Sequence, residues 1–541
     1  MATTQTHPKQ QLDAVIVGAG FAGMYMLHRL RGLGLNARVI EAGAGVGGTW
    51  YWNRYPGARV DIESQEYGYS FDEALERDWR WTERYSSQPE LLRYLNHVAD
   101  RFDLRRDIQF ETRVTAAHFD DETRLWTVKT DDGQHFIARF CIMATGCLST
   151  PKELDFEGVD DFKGTIYKTS SWPHDGVDFS GQRVGVIGTG SSAIQSIPII
   201  ADQAAQLTVF QRTPNYSVPA RNRPLTAEEV TDWDNNRQAY RDDARAQGLA
   251  FRNEPTEALA VETLPEAREA EFERRWRYGG FRIGGAFADQ GIDMVANGYV
   301  ADFAARKIAE IVTDPETAAT LTPKTYPFGT KRLCVDTNYY ATYNRDTVSL
   351  IDLQQTPIER LTTTGIKTSN ADYSFDSIVF ATGFDAMTGT LGKIDICGRG
   401  GVALKDKWAT GPRTYLGLMV ADYPNLFMIT GPGSPSVLTN MIMSIEQHVD
   451  FITDCIAHMS ERQMATIEAT PEAETNWVAH VNEVADTTLY PLANSWYMGA
   501  NVPGKPRVFL PYVGGFNVYV DACNDVVAKG YEGFLLKSAV G

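Results

Sequence analysis

An α/β fold with two parallel-sheet domains is predicted by three observations. The apolar run at residues 14–17 leads into a glycine-rich turn, Gly18-Ala19-Gly20-Phe21-Ala22-Gly23. A second apolar run, at residues 184–187, leads into Gly188-Thr189-Gly190-Ser191-Ser192-Ala193. Each turn is followed by a helix-length segment and another apolar run, ending at Glu41 in the first case and just before Arg212 in the second. Strand, glycine turn, helix and strand make a βαβ nucleotide unit. The predicted class is therefore α/β, with two Rossmann-type dinucleotide-binding domains, each discontinuous in sequence. A helical insertion is expected in the second.

The elements follow in order. A strand is expected at 12–17, a helix at 21–32 and a strand at 37–41, followed by an aromatic-rich stretch at 50–85. Phe140-Cys141-Ile142-Met143-Ala144-Thr145-Gly146 reads as a buried strand ending in small residues, and Ile378-Val379-Phe380-Ala381-Thr382-Gly383 repeats the pattern. These ends suggest crossings between the two nucleotide domains. The second βαβ unit covers about 182–212. Residues 224–290 turn charged and helical, and their charges read as a solvated helix face. A Gly/Pro-rich loop at 431–435 precedes a helical segment holding Glu446, Gln447 and His448, and residues 495–504 read as a long loop. The expected division is a first nucleotide domain from 1–146 and 386–541, a second from 147–223 and 326–385, and a helical insertion at 224–325.

The 541 residues exceed one simple core, and 43% apolar with 22% charged content suits a globular protein. A net charge of −18 argues against nucleic acid or an anionic membrane as partner. No uncharged apolar run approaches a membrane span, and residues 1–13 are polar, so neither a span nor a signal peptide is expected. Six scattered cysteines without C-x-x-C read as reduced thiols of a cytoplasmic protein and weigh against a disulfide reductase. His97, His174 and His448 have no partners at ligand spacing, so no metal is implied.

The two turns differ where the nucleotide is chosen. In each, the first glycine permits the tight turn, the second lets backbone approach a pyrophosphate, and a small third residue allows close helix packing. The acid Glu41 suits a ribose diol, whereas Arg212, with Thr213 beside it, suits a 2′-phosphate. FAD at the first turn and NADPH at the second are the expected cofactors.

The most specific stretch is Gly47-Gly48-Thr49-Trp50-Tyr51-Trp52-Asn53-Arg54-Tyr55-Pro56-Gly57-Ala58-Arg59-Val60-Asp61. With it the chain resembles the type I Baeyer–Villiger monooxygenases, phenylacetone and steroid monooxygenases among them. The long fingerprint of that family is matched by Gly47-Gly48, Trp50, Tyr55-Pro56 and Asp61. Its shorter fingerprint, Phe-x-Gly-x-x-x-His-x-x-x-Trp, is matched by Phe162, Gly164 and Trp172, with Lys168 in place of the histidine. In the family that histidine sits between the nucleotide domains, so Lys168 bears on domain coupling more than on reaction class. A different aromatic stands at the Trp172 position in related N- and S-oxidising enzymes.

The resemblance implies an NADPH- and O2-dependent flavoprotein that inserts oxygen beside a ketone carbonyl through a flavin C4a-peroxide, giving an ester or lactone. Sulfoxidation is expected as a side activity. Arg332 matches the arginine that stabilises the reactive anion, a role suited to a permanently charged group. Asp61 matches the carboxylate that orients it, near the flavin. The implied FAD contacts are Gly18, Gly20, Ala22, Gly23, Glu41, Gly48, Thr49, Trp50, Asp61, Tyr67, Val114 and Met441. The implied NADP contacts are Arg59, Gly188, Thr189, Gly190, Ser191, Ser192, Gln195, Arg212, Thr213, Lys331, Arg332 and Trp496, the last closing over the nicotinamide. The loop at 431–440 resembles the longer version that goes with aryl, long-chain or bulky cyclic ketones. Two other readings stay open: a flavin monooxygenase of amines or sulfides only, and a cofactor-binding module without oxygenation. The expected partner is a small-molecule ketone, and the oligomeric state is left open, a monomer being compatible with the sequence.

Overall fold

The computed structural model describes residues 10–538; most of the polar start at 1–13 lies outside them. Two separate sheets carry the two glycine turns. The first has eight strands, in the spatial order Asp395–Cys397, Val114–Asp120, Leu125–Thr130, His135–Met143, Gln10–Val17, Ala37–Ile40 and Ile108–Gln109, with Leu426–Met428 also paired to His135–Met143. Its centre is parallel, and an antiparallel meander from 114 to 143 extends one side. The second has five parallel strands, in the order Val348–Asp352, Gln206–Gln211, Arg183–Ile187, Ser377–Phe380 and Thr165–Lys168. Both sheets take late strands from distant sequence, as the discontinuous reading expected.

Each Ala-Thr-Gly strand end lies beside a glycine turn. A Cβ on Gly18 would meet the carbonyl oxygen of Ala144 at 2.7 Å, and one on Gly188 would meet that of Ala381 at 2.5 Å. Both glycines have positive φ, +105° and +115°. Only glycine tolerates both demands at once.

Helices fill the block between the halves of the second sheet: Ala227–Ala246, Pro265–Tyr278, Met294–Ile311 and Pro315–Leu321. Thr226 and Glu229 form a reciprocal capping box that starts the first of them. Phe303 packs against Phe272 at 5.4 Å and Trp276 at 5.8 Å, joining the second and third. The solvated-face expectation fails in part here, because Arg237, Arg241 and Arg275 are buried. Arg241 donates to the Glu76 carboxylate and to the carbonyls of Glu66 and Gly68, and Arg252 pairs with Glu66 at 2.9 Å. Arg241 and Arg252 dock the block onto the aromatic-rich stretch, whereas Arg275 bonds within the block, to Glu271 and to the carbonyls of Arg282 and Glu254.

No helix among the described residues is long and apolar enough to cross a membrane. The six cysteines are free, and all but Cys397 are buried.

Candidate active site

The first turn is a close-packed backbone cradle. A Cβ on Gly23 would lie 1.8 Å from the carbonyl oxygen of Gly18, and one on Gly48 would lie 2.9 Å from the Cα of Gly20. Gly20 precedes the helix Phe21–Gly32 without any side-chain cap, so the first-turn N–H groups have no side-chain acceptor. Such a terminus suits a phosphate. Glu41 is brought against the turn, accepting from Ala19 N at 2.6 Å and Gly43 N at 2.7 Å. Its burial raises its pKa against the opposing pull of those N–H groups. Thr49 is exposed beside the cradle, Ala22 is buried in the helix, and Trp50 packs edge-on against Tyr67 at 5.9 Å. Val114 is buried at the start of its strand.

The second turn is more open. A Cβ on Gly190 would meet nothing within 4 Å, and Gly190 also lacks a side-chain cap before the helix Ser191–Gln203. Thr189 Oγ1 donates to the carbonyl of Thr213 at 3.0 Å, tying the turn to the segment after Arg212. Ser191 Oγ lies 3.3 Å from Cys334 Sγ, and Ser192 opens the helix beside it. Arg212 is exposed and has no ion pair among the described residues. Lys331 lies close to it, with its pKa lowered by burial and by the Arg212 charge, and its Nζ sits 4.4 Å from the Tyr326 ring centroid. Lys152, which the sequence reading missed, is lowered for the same two reasons. Lys331 and Lys152 both feel the Arg212 charge, and the acid near Lys152, Asp385, is already paired with Lys505, so the cluster suits a doubly charged phosphate. The uncapped helix starts and this cation cluster fit two dinucleotides.

The long fingerprint bridges the two units. Tyr55 OH donates to Gln195 Oε1 at 3.0 Å, and Gln195 Nε2 donates to the carbonyl of Arg59 at 3.1 Å. A Cβ on Gly57 would lie 2.3 Å from the carbonyl of Gln195. Arg59 itself pairs with Glu83 at 3.1 Å. Asp61 is thereby fixed at the junction, where Arg332 donates to it through Nε at 2.9 Å and Nη2 at 2.8 Å. The third guanidinium donor, Nη1, reaches the carbonyl of Val437 at 2.6 Å, and the Phe281 ring lies 4.8 Å from Cζ. Burial disfavours charge on Arg332, but Asp61 and Tyr497 outweigh it and hold its pKa above the ordinary arginine value. A quarter of the side chain, 24%, still remains accessible. A fixed charged group that keeps some accessible surface can stabilise a developing anion. Trp496 is partly buried in a short helical turn, its ring 4.3 Å from Tyr497. In the loop at 431–441 all residues are buried except Leu438 and Met441, which are half-buried.

The shorter fingerprint sits elsewhere. Trp172 is buried with Tyr167 and Phe179 in the core of the second sheet, not in the cleft. A Cβ on Gly164 would collide with the Asp376 carbonyl and the Phe162 ring. Lys168 is exposed at the strand end, without an ion pair among the described residues. His174, not Lys168, meets the long fingerprint, its ring 5.3 Å from Tyr51. His448 is buried and accepts from Thr430 N at 2.9 Å; burial lowers its pKa to about 3, which keeps it a neutral structural group.

Asp336 anchors the segment that carries Arg332. It accepts from Ser217 Oγ at 2.5 Å and Tyr339 N at 3.0 Å, and burial raises its pKa from 3.8 to about 6. A raised folded-state pKa contributes stability that is present below the unfolded value and lost as pH rises through the folded one. Thermal unfolding of the unchanged chain and Asp336→Asn should therefore diverge, the former losing ground between pH 4 and pH 7. A difference that is flat across that window rules the effect out.

Residues 15–249 match the model of the pyridine nucleotide-disulphide oxidoreductase family. A Baeyer–Villiger monooxygenase of Pseudooceanicola batsensis is 45% identical over 97% of this chain and 96% of that one. An oxidised steroid monooxygenase bound to NADP superposes with a TM-score of 0.94 at 52% identity, covering 98% of this chain and all of the other. The OTEMO complex with FAD and NADP gives a TM-score of 0.94 at 41% identity, covering 97% of this chain and 99% of the other. The chain belongs to the Baeyer–Villiger monooxygenases, flavoenzymes that use NADPH and O2 to insert an oxygen atom beside a ketone carbonyl.

Proposed function

We propose that this enzyme oxidises aryl, long-chain or bulky cyclic ketones to esters or lactones, with sulfoxidation as a side activity. The observation that carries the reading is the Arg332–Asp61 pair, a fixed and partly accessible cation where the long fingerprint bridges the two glycine-turn units. The domain division at 146, 223, 325 and 385 belongs to the same proposal, and the separate strand sets of the two sheets support it.

FAD would lie on the cradle of Gly18, Gly20, Ala22 and Gly23, with Glu41 at the ribose and Gly48, Thr49, Trp50, Asp61, Tyr67, Val114 and Met441 around the rest. NADP would lie on Gly188, Thr189, Gly190, Ser191 and Ser192, with Arg59, Gln195, Thr213 and Trp496 along it. When bound, FAD reduced by NADPH activates O2 and supplies the oxygen atom. Arg332 then holds negative charge on oxygen without itself losing a proton. Asp61 fixes the plane of the guanidinium, and the Val437 carbonyl occupies the Nη1 donor so that the group cannot swing. Phe281, Leu438 and Met441 offer the carbonyl substrate an apolar wall, and Trp496 excludes water from the nicotinamide side.

Arg212, Lys331 and Lys152 would select NADPH over NADH. Charge-assisted hydrogen bonds contribute about 1.5–3 kcal/mol each, so Arg212→Ala combined with Lys331→Ala should raise KM for NADPH by about a hundredfold or more while moving that for NADH little. Steady-state kinetics with both nucleotides checks this, and equal changes for the two would contradict it. Product analysis with a ketone and a sulfide in competition tests the reaction itself. Sulfoxide without ester from a broad ketone panel would favour the amine- or sulfide-oxidising reading.

A further inference from the structure

Among the described residues, one cluster of metal-ligand side chains lies apart from the Arg332–Asp61 pair. His118 is on the strand Val114–Asp120, and Asp395 and Cys397 are on the neighbouring edge strand Asp395–Cys397. The parallel register sets His118 directly beside Cys397. Ala117, Phe119 and Ile396 point into the core beneath, so alternation places His118, Asp395 and Cys397 together on the outer face. His118 Nε2 lies 2.8 Å from Asp395 Oδ2, and Cys397 Sγ lies 3.6 Å from Asp395 Oδ1. The three donor atoms all fall within 4.8 Å of one another.

We propose that this face binds a borderline-soft divalent cation, zinc in the first instance, through His118, Asp395 and Cys397. Imidazole, carboxylate and thiolate are the zinc donor types, and bonds of about 2.0–2.3 Å put tetrahedral ligand atoms roughly 3.3–3.8 Å apart. The cluster needs only side-chain rotation to reach that spacing, and His118 and Asp395 are open enough to rotate, with 34% and 54% of their side chains accessible. The cation takes the place of the thiol proton, which leaves to solvent, and of any proton shared between His118 and Asp395. The fourth position stays open to water. Lys405 acts on both Asp395 and Cys397, and Asp406 on Cys397. Cys397 is the one cysteine of the six that is not buried, so its chemistry can be followed alone. The sequence spacing concealed the set, because His118 and Asp395 are 277 residues apart.

The test uses the FAD-loaded, full-length enzyme in chelator-free buffer, with zinc chloride as probe. Equilibrium dialysis should find zinc bound by the unchanged chain, with one equivalent fewer in Cys397→Ser and in His118→Ala. Iodoacetamide labelling of Cys397, followed by mass spectrometry, should slow by about tenfold when zinc reaches ten times its dissociation constant. The slowing should vanish in His118→Ala, whose thiol is intact, and ketone turnover should be unchanged in both variants. An unaltered labelling rate at saturating zinc, or equal zinc content in the unchanged chain and both variants, overturns the proposal and leaves His118–Asp395 a plain surface ion pair.

Discussion

Replacing Arg332 by alanine is expected to abolish ester formation, lowering the rate of ketone oxygenation by about a hundredfold to a thousandfold. The size follows from removing a preorganised charge aimed at a developing anion. NADPH binding and oxidation should persist to a greater extent, because the far end of that nucleotide is proposed to rest on Arg212, Lys331 and Lys152. The variant should therefore consume NADPH and O2 without matching ester. Parallel assays of NADPH loss and ester yield with labelled O2 measure the split. Arg332→Lys should restore little, since an ammonium cannot make the paired contact that Nε and Nη2 make with Asp61. Ester yield equal to that of the unchanged enzyme in Arg332→Ala would remove Arg332 from the mechanism.

Substituting Gly23 by alanine should eliminate flavin binding. The new Cβ would stand 1.8 Å from the Gly18 carbonyl oxygen, a backbone atom that is itself held under the strand end at Ala144. The helix would have to withdraw from the turn, and the uncapped N–H groups proposed to receive a pyrophosphate would move with it. The purified protein should be colourless and unable to oxidise NADPH. Gly190→Ala offers the contrast, since its Cβ enters open space and leaves the backbone undisturbed. That variant should keep its yellow colour and lose affinity mainly for NADPH. Flavin absorbance per chain and KM for NADPH separate the two, and full flavin content in Gly23→Ala would contradict the account.

The two turns were legible because their constraints are local. A glycine with positive φ, a following uncapped helix and a polar residue at the next strand end all lie within about 25 residues, and each leaves a mark in composition. The small Ala-Thr-Gly strand ends were legible too, although their reason was not. The Ala144 and Ala381 carbonyls press against Gly18 and Gly188, and that contact appears only when the strands are side by side. Charge in the helical block misled for the opposite reason. Arg241 sits on a helix of mostly solvated residues, and nothing within the helix says that Glu76 and two carbonyls will meet it. Trp172 likewise carried weight as a fingerprint residue, yet its surroundings are the core of the second sheet.

The sequence by itself determined the class of fold, the two nucleotide cradles and, through its resemblance to a family, the reaction. Those properties rest on backbone geometry and short-range spacing, which a chain carries whatever its neighbours are. Only the tertiary structure decided which charges face each other. The Arg332–Asp61 pair was expected from the resemblance, but its paired contact across 271 residues, the approach of Lys152 to Arg212, and His118 beside Cys397 on one sheet edge are tertiary. Coulomb attraction and desolvation depend on distance through space, and chain separation carries no record of that distance until the strands are in register.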